Sequence, residues 1–146
     1  MPYAQARFKN IPERPSSGAT KASEKTPYIE EMCSRTKVFA VARRQLGMQA
    51  VVLDSCVFIW VGERRRLDAL GFAHAARGAT LLEGASRLHV DTLACGIGRL
   101  FPRKQVFFST DLNTDDVDFW ADVIKCIAEE VRSSPDFYGV SINVSA

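Results

Sequence analysis

The chain has 146 residues, of which 47% are hydrophobic and 25% charged, and its formal net charge at pH 7 is +2. This length suffices for one domain with a single hydrophobic core, and the composition is ordinary for a soluble globular protein. The near-neutral charge argues against a nucleic-acid-binding protein, which would carry a clustered basic surface. No apolar run approaches the roughly 20 residues that a membrane-spanning helix needs.

Residues 1–28 hold four of the chain's prolines together with many charged residues, and they show no hydrophobic period. This pattern is typical of an N-terminal arm that is disordered in isolation. The opening sequence MPYAQARFKN lacks the apolar stretch of a secretory signal. The four cysteines are scattered without a CxxC pair. We therefore expect reduced, buried or half-buried thiols and a cytoplasmic location that also extends to the nucleus.

Residues 29–134 are expected to form a single α+β domain that opens with three strands. The β-branched and aromatic patterns lie at residues 36–43, 48–53 and 56–61. Between them we place a turn at residues 45–47 and a tight connection at Asp54-Ser55. Because links this short cannot join parallel strands, the three strands are predicted to form an antiparallel meander that ends at Gly62.

The middle of the chain gives weaker signals. Residues 68–76 fit a helix through their alanines, or a strand through the alternation of Leu70 and Phe72. A short strand is predicted at residues 79–82.

Residues 87–101 have the spacing of an amphipathic helix, with Ser86 as a candidate N-cap and Pro102 as the stop. Gly96 and Gly98 each weaken such a helix by roughly 1 kcal/mol relative to alanine. We expect them to allow a neighbouring backbone to approach closely.

The last third of the chain switches from strand to helix period. A strand is predicted at residues 105–110, and a long helix over residues 114–133. The helix is predicted from a main stripe of apolar residues at i, i+3, i+4 and i+7: Val117, Trp120, Ala121, Ile124, Ile127, Ala128 and Val131. Asn113 and Thr114 are the candidate N-caps, and the aspartates after them suit a helix N-terminus. Residues 135–146 form a tail that begins with a helix-stopping proline and is apolar enough to dock on the domain.

No set of residues has the pattern of a catalytic or metal site. His74 and His89 are isolated, and the HExxH and GxSxG patterns are absent. Gly96-Ile97-Gly98 falls within a helical pattern, whereas phosphate-binding glycines lie between a strand and a helix. We therefore predict no catalytic residue, no metal, no cofactor, and a protein that is not an enzyme.

The long C-terminal helix carries a second apolar strip beside its main one. Phe119, Val123 and Cys126 follow each other at helical spacing on this neighbouring face. Such a strip would lie in water unless a partner, or the tail near Phe137 and Tyr138, covers it. We take the three residues as a candidate partner interface. Phe119→Asp and Val123→Asp are then expected to weaken dimerisation without unfolding the domain.

Three consecutive arginines, Arg64, Arg65 and Arg66, follow the third predicted strand. A charged run of this kind is usually a solvated loop, but binding residues also concentrate in loops. Both readings stay open, and the three arginines complete the candidate partner interface as a contact for an acidic partner.

Residues 53–62 have the sequence LDSCVFIWVG, and this segment resembles the DSLFLWVG-like strand of the proteasome assembly chaperone 4 family. A Leu/Ala segment at 67–77, a Leu-Leu-x-Gly strand at 81–84 and the pair Arg99-Leu100 follow in a similar order. The most specific match is KQVFFSTDLNTD at 104–115.

The resemblance covers residues 36–131 and implies a non-enzymatic chaperone. Such a protein forms a heterodimer with proteasome assembly chaperone 3 and holds α-type subunits while the α-ring of the 20S proteasome assembles. The implied fold is an antiparallel sheet of about six strands flanked by two long helices, which makes residues 68–76 a strand. The run Arg64-Arg65-Arg66 is more basic than the family pattern at this place.

Two rival hypotheses remain from the sequence. One is a small ligand- or nucleotide-binding α/β domain, which a roomy pocket with convergent polar groups would favour. The other is a homodimeric scaffold unrelated to proteasomes, and the isolated chain could also form a homodimer under the chaperone hypothesis.

Overall fold

A computed structural model describes residues 33–84 and 88–141, so the predicted arm at 1–28, the candidate cap Ser86 and the end of the tail lie outside the described residues. Within these ranges there are six strands: β1 (Cys33–Val41), β2 (Arg44–Val52), β3 (Cys56–Gly62), β4 (Ala69–His74), β5 (Arg77–Leu82) and β6 (Gln105–Thr110). The same ranges contain three helices: α1 (Val90–Gly98), α2 (Val117–Ser133) and α3 (Pro135–Tyr138).

The strands form one six-stranded sheet in the order β1-β2-β3-β6-β4-β5. β1, β2 and β3 pair antiparallel, which confirms the predicted meander. β6 pairs parallel with β3 and antiparallel with β4, because the long connection from β3 to β6 allows a crossover. The α+β class is thus confirmed. The expected pair of long helices is matched only in part, since α2 has 17 residues and α1 has 9.

The turn predicted at residues 45–47 is wrong, because these residues lie inside β2. The chain instead reverses at Ala42 and Arg43, whose φ angles of 50° and 63° suit a two-residue hairpin that matches the twist of the strands. Gly47 does not make a turn. The place of its missing Cβ lies 3.6 Å from the Trp60 ring, an ordinary packing distance, so Gly47 lies in β2 against that indole. The tight connection at Asp54-Ser55 is confirmed.

The two faces of the sheet differ in their covering. Buried residues alternate along the strands on one face, which we call the helix face: Leu46, Met48, Ala50, Val57, Ile59, Val61, Val106 and Phe108. Trp120 of α2 meets Phe108 edge-on, with ring centroids 6.0 Å apart. Burying a large aliphatic or aromatic side chain contributes about 1.5–3 kcal/mol. The core of the domain therefore lies between this face and the helices.

Glycines set how closely α1 packs. A Cβ atom on Gly71 of β4 would lie 2.5 Å from the carbonyl oxygen of Val90, so α1 begins directly against the sheet. A Cβ atom on Gly96 would lie 3.1 Å from Cδ1 of Ile124 on α2. The close neighbour at Gly96 is therefore a side chain and not the backbone that the sequence predicted, and the same holds for Gly98, which faces Cβ of Ala73. Residues 68–76 contain β4, the strand that the family resemblance implies.

The N-cap of α2 is Asp116, two residues beyond the predicted Thr114. Its carboxylate accepts the backbone N–H of Asp118 at 3.0 Å and of Phe119 at 3.3 Å, as an N-cap does. Thr114 has another role, because its carbonyl oxygen accepts the Trp120 indole N–H at 2.8 Å. The helix starts late because this bond holds the preceding residues in an extended connection.

The first part of the tail docks on the domain through Tyr138, which is fully buried. Its hydroxyl donates a hydrogen bond to Glu130 of α2 at 3.3 Å. Arg35 of β1 pairs with the same carboxylate at 3.0 Å and lies 4.3 Å above the Phe137 ring. Arg35 also donates to the Ser134 hydroxyl at 2.6 Å. These contacts tie α2 and α3 to the edge strand of the sheet.

Burial raises the pKa of Tyr138 above its ordinary value, and the charge of Glu130 and its hydrogen bond raise the pKa further. The unfolded chain loses this proton near pH 10, which is the ordinary tyrosine pKa. Above that pH the folded state binds more protons at Tyr138 than the unfolded state does. The free energy of unfolding must therefore fall as the pH rises past about 10.

Tyr138→Phe is expected to remove this alkaline loss of stability. Urea unfolding between about pH 8 and pH 11 should show a decline in the free energy of unfolding, by up to about 1.4 kcal/mol per pH unit, that the variant lacks. Lysines and other groups titrate equally in both proteins, so the difference isolates Tyr138. Parallel curves for the two proteins would contradict the assignment.

Candidate functional site

The strip predicted on α2 is not an exposed surface. Phe119 is 6% exposed and Val123 is fully buried, while Cys126 is half-buried. The Phe119 ring packs against Trp120 with centroids 5.4 Å apart, and the Arg44 guanidinium lies 5.4 Å above it. Of the two alternatives that the sequence left open, this burial favours cover by the domain itself over a partner at Phe119 and Val123, which belong to the core.

The buried stripe of α2 is rotated from the predicted one. It consists of Phe119, Trp120, Val123, Ile127, Ala128 and Val131. Val117, which the sequence assigns to the main stripe, is 79% exposed because it begins the helix beyond the sheet. Two apolar stripes of similar strength run along this helix, and only contact with the sheet decides between them.

The four cysteines are free thiols. Cys33 is exposed, whereas the sequence predicted buried or half-buried thiols. Partial burial raises the pKa of the Cys126 thiol, and the charges of Glu129 and Asp122 raise it further. A thiol with a raised pKa holds less thiolate, so Cys126 is a weak nucleophile.

The second face of the sheet, which we call the open face, has aromatic side chains and no covering helix among the described residues. A row of cross-strand neighbours crosses it: Val51, Phe58, Phe107, Phe72 and Ala79. The Phe72 and Phe107 rings lie 5.2 Å apart, and Val51 and the three phenylalanines are half-buried. Leu82, also on this face, is exposed. Together these side chains form an apolar patch on the open face.

The sequence contains a pattern that indicates a second apolar face of the sheet. Val57, Phe58, Ile59 and Trp60 are apolar in succession, as are Val106, Phe107 and Phe108. Strands that are apolar on both sides are typical of sheets covered on both faces. The continuous runs therefore indicated two covered faces, while the described helices lie on one.

Three arginines lie in a loop at the end of β3, which we call the arginine loop (residues 63–66). The Asp111 carboxylate accepts backbone N–H bonds from Glu63 at 2.9 Å, Arg64 at 2.7 Å and Arg66 at 3.2 Å. Asp111 follows β6, whose parallel pairing with β3 brings the two strand ends side by side. The Trp60 indole N–H donates to the Arg66 carbonyl oxygen at 2.8 Å. The loop therefore has a fixed backbone shape.

The arginines of this loop are solvent-exposed, as a loop predicts. Arg66 pairs with Asp68 at 3.3 Å, and Glu63 pairs with Arg44 of β2. Arg64 and Arg65 form no ion pair within residues 33–84 and 88–141. The candidate residues on α2 lie elsewhere in the fold.

No constellation with evident chemistry exists among the described residues. His74 and His89 are exposed, and no three His, Cys, Asp or Glu side chains in this part of the chain could hold a metal ion. A groove of about 420 Å³ between α1 and α2 has a mostly apolar lining that includes Leu93, Trp120 and Ile124. None of the described helices is long and apolar enough to cross a membrane.

Of the comparisons with known proteins, the one with solved structures gives a match. No protein-family model and no curated protein matches the chain. The chain is similar to a solved structure described as "Crystal Structure of a Novel Chaperone Complex for Yeast 20S Proteasome Assembly". The two share 14% identity and a TM-score of 0.53, over 73% of this chain and 99% of that chain. At this identity the similarity shows a shared fold.

We predict that Val123→Asp unfolds the domain, in place of the selective loss of dimerisation expected from the sequence. A carboxylate at this buried site has no partner, which should cost at least about 3 kcal/mol. Ala121→Asp is the matched control, because Ala121 lies on the same helix and is exposed. Urea unfolding followed by circular dichroism measures both. Equal midpoints would show that Val123 is not in the core.

Asp111→Ala is expected to loosen the arginine loop. Losing the three hydrogen bonds should lower the free energy of unfolding by about 1–3 kcal/mol and speed hydrogen exchange at Glu63, Arg64 and Arg66. Asp115→Ala removes an exposed carboxylate from the same connection and should change neither. Unchanged exchange in the Asp111 variant would contradict the role of its carboxylate.

Proposed function

We propose that the chain is a non-enzymatic assembly chaperone for the α-ring of the 20S proteasome. It acts as a heterodimer with a partner similar to proteasome assembly chaperone 3, and the pair holds α-type subunits. The observation that carries the proposal is the shared fold, because the similarity spans 99% of a chain from a proteasome assembly chaperone complex. The family resemblance of residues 36–131 points to the same function independently.

The open face supplies a physical means of association. A protein that works by covering surfaces needs an apolar patch that its own fold leaves available, and the row from Val51 to Phe72 is such a patch. Aromatic residues are enriched at the centres of interfaces, where a few of them contribute most of the binding free energy. We assign the open face to the partner chaperone.

The proposed mechanism needs no reacting group. The heterodimer would bind an α-type subunit, cover a surface that later contacts its neighbour, and leave when the ring closes. Weak, reversible contacts suit this work better than permanent ones, because the chaperone must dissociate. The proposed place of action is the cytoplasm, and also the nucleus, where the chain would meet newly made subunits.

Capture of partners from native lysate tests the proposal. The tagged full chain should recover α-type proteasome subunits and a second small chaperone, both identified by mass spectrometry. Recovery of neither would refute the proposed function. Recovery of the chain alone as a dimer would favour the homodimeric scaffold instead.

Phe72→Asp should abolish recovery of the second chaperone, because a carboxylate would be desolvated in the middle of the interface. A loss at such a central position corresponds to at least tenfold weaker binding. Val117→Asp is the matched control, since it places the same charge at an exposed apolar position on the helix side.

Circular dichroism and urea unfolding must show that both variants fold. Leu82→Asp, at an exposed position of the open face, serves where Phe72→Asp does not fold. Full recovery by the folded open-face variants, or equal loss in the Val117 variant, would contradict the assignment of this face.

A further inference from the structure

We infer that the arginine loop, with the depression beside it, docks an acidic segment of the partner protein that carries an apolar anchor. Carboxylates of that segment would face Arg64 and Arg65, and the anchor would enter the depression. The inference rests on the proposed function, because the depression opens on the open face and a partner packed there would reach the loop. It adds the chemistry that this partner must present.

The depression has a volume of about 740 Å³ and lies between β1, β2, the end of β3 and the loop. Val38 and Leu67, which are 61% and 47% exposed, belong to its lining together with Trp60. The indole of Trp60 extends over Gly47 and Gly62, and a Cβ atom on Gly62 would lie 2.6 Å from it. The absence of a side chain on Gly62 therefore allows the indole to pack at this place.

The charge around the depression is positive although the whole chain is near neutral. Arg65 and Arg66 belong to its lining, and Arg43 is exposed in the β1–β2 turn at the same end of the sheet. The acidic residues here are already engaged. Glu63 binds Arg44, Asp68 binds Arg66, and Asp111 binds backbone N–H groups. Among the described residues, Arg64 and Arg65 therefore have no acidic partner.

The backbone of the arginine loop is already fixed in the chain without a partner. Asp111 and Trp60 fix its backbone through four hydrogen bonds, so little backbone entropy is lost when a ligand docks. Arginine suits carboxylates because its planar guanidinium can form two parallel hydrogen bonds with one of them. A rim of such charges mainly speeds and orients association.

The composition of the surface favours an acidic protein segment over a nucleic acid. A nucleic-acid site would need a longer basic stripe and aromatic rings free to stack on bases. Trp60 is only 9% exposed, and its N–H is engaged by the Arg66 carbonyl oxygen, so its ring is not free to stack. Next to the arginines lie the aliphatic side chains of Val38 and Leu67, which suit an apolar anchor.

Fluorescence anisotropy with labelled 12-residue peptides tests this inference on the full chain. The probe peptide carries glutamates and aspartates on both sides of a Leu-Phe pair. A second peptide has glutamine and asparagine in place of the acids, and a third has serines in place of the Leu-Phe pair. We expect the first peptide to bind and the other two to bind at least tenfold more weakly. Raising the salt concentration should weaken binding of the first peptide.

The double variant Arg64→Glu/Arg65→Glu should bind the acidic peptide at least tenfold more weakly than the native chain. Arg77→Glu/Arg103→Glu is the matched control, because both residues are exposed and the net charge changes equally. The control should bind within about twofold of the native chain.

Several results would overturn the inference. They are no binding of the acidic peptide, equal binding of the uncharged or serine-containing peptide, and equal loss in the two double variants. Tighter, loop-dependent binding of single-stranded RNA of the same charge would assign the surface to a nucleic acid.

Recovery of α-type subunits without peptide binding overturns this inference alone. Loop-dependent peptide binding without any recovery of subunits or of a second chaperone overturns the proposed function alone.

Discussion

The parallel pairing of β6 with β3 is the constraint on which the rest of the structure depends. It places β6 in the middle of the sheet, where Val106 and Phe108 are fully buried on the helix face and Phe107 joins the aromatic row on the open face. The same pairing brings Asp111 beside the end of β3, where its carboxylate fixes the arginine loop. One strand thus contributes to the core, to the open face that the proposed function uses, and to the arginine loop that the further inference uses.

The local pattern of the chain predicts much of this fold, and the exceptions have physical reasons. The meander, β6 and the long terminal helix follow from periods of two and 3.6 residues, which the backbone imposes on any half-buried element. The turn at Ala42-Arg43 could not be predicted in this way, because neither residue is a usual turn former. Gly47, a better turn former, lies inside β2 and contacts the Trp60 ring. The docking of Tyr138 depends on Glu130 and also on Arg35, which is far from it along the chain, so the tail pattern alone could not place it.

The same limit applies to the candidate partner interface on α2, because the sequence does not show which of its residues are buried. Helical spacing identifies Phe119 and Val123 as an apolar strip but does not say which strip turns inward, since a rotation of the helix exchanges them. The arginine run was predicted as a loop and is one, while its fixed shape depends on Asp111, which lies far along the chain. The open face could have been predicted from the sequence, because β3 and β6 are apolar at successive positions. Its partner contact remains a proposal.

The two parts of the proposed surface have different physical consequences for a chaperone. Apolar burial on the open face is non-directional and supplies binding free energy, about 25 cal/mol for each Å² removed from water. Such a surface alone would bind many partners, itself included. Charges at its rim contribute little free energy in water, but they penalise a partner that brings like charge. A fixed arginine loop beside an aromatic face therefore allows association to be reversible and still selective, because selectivity comes from the rim and not from a larger buried area.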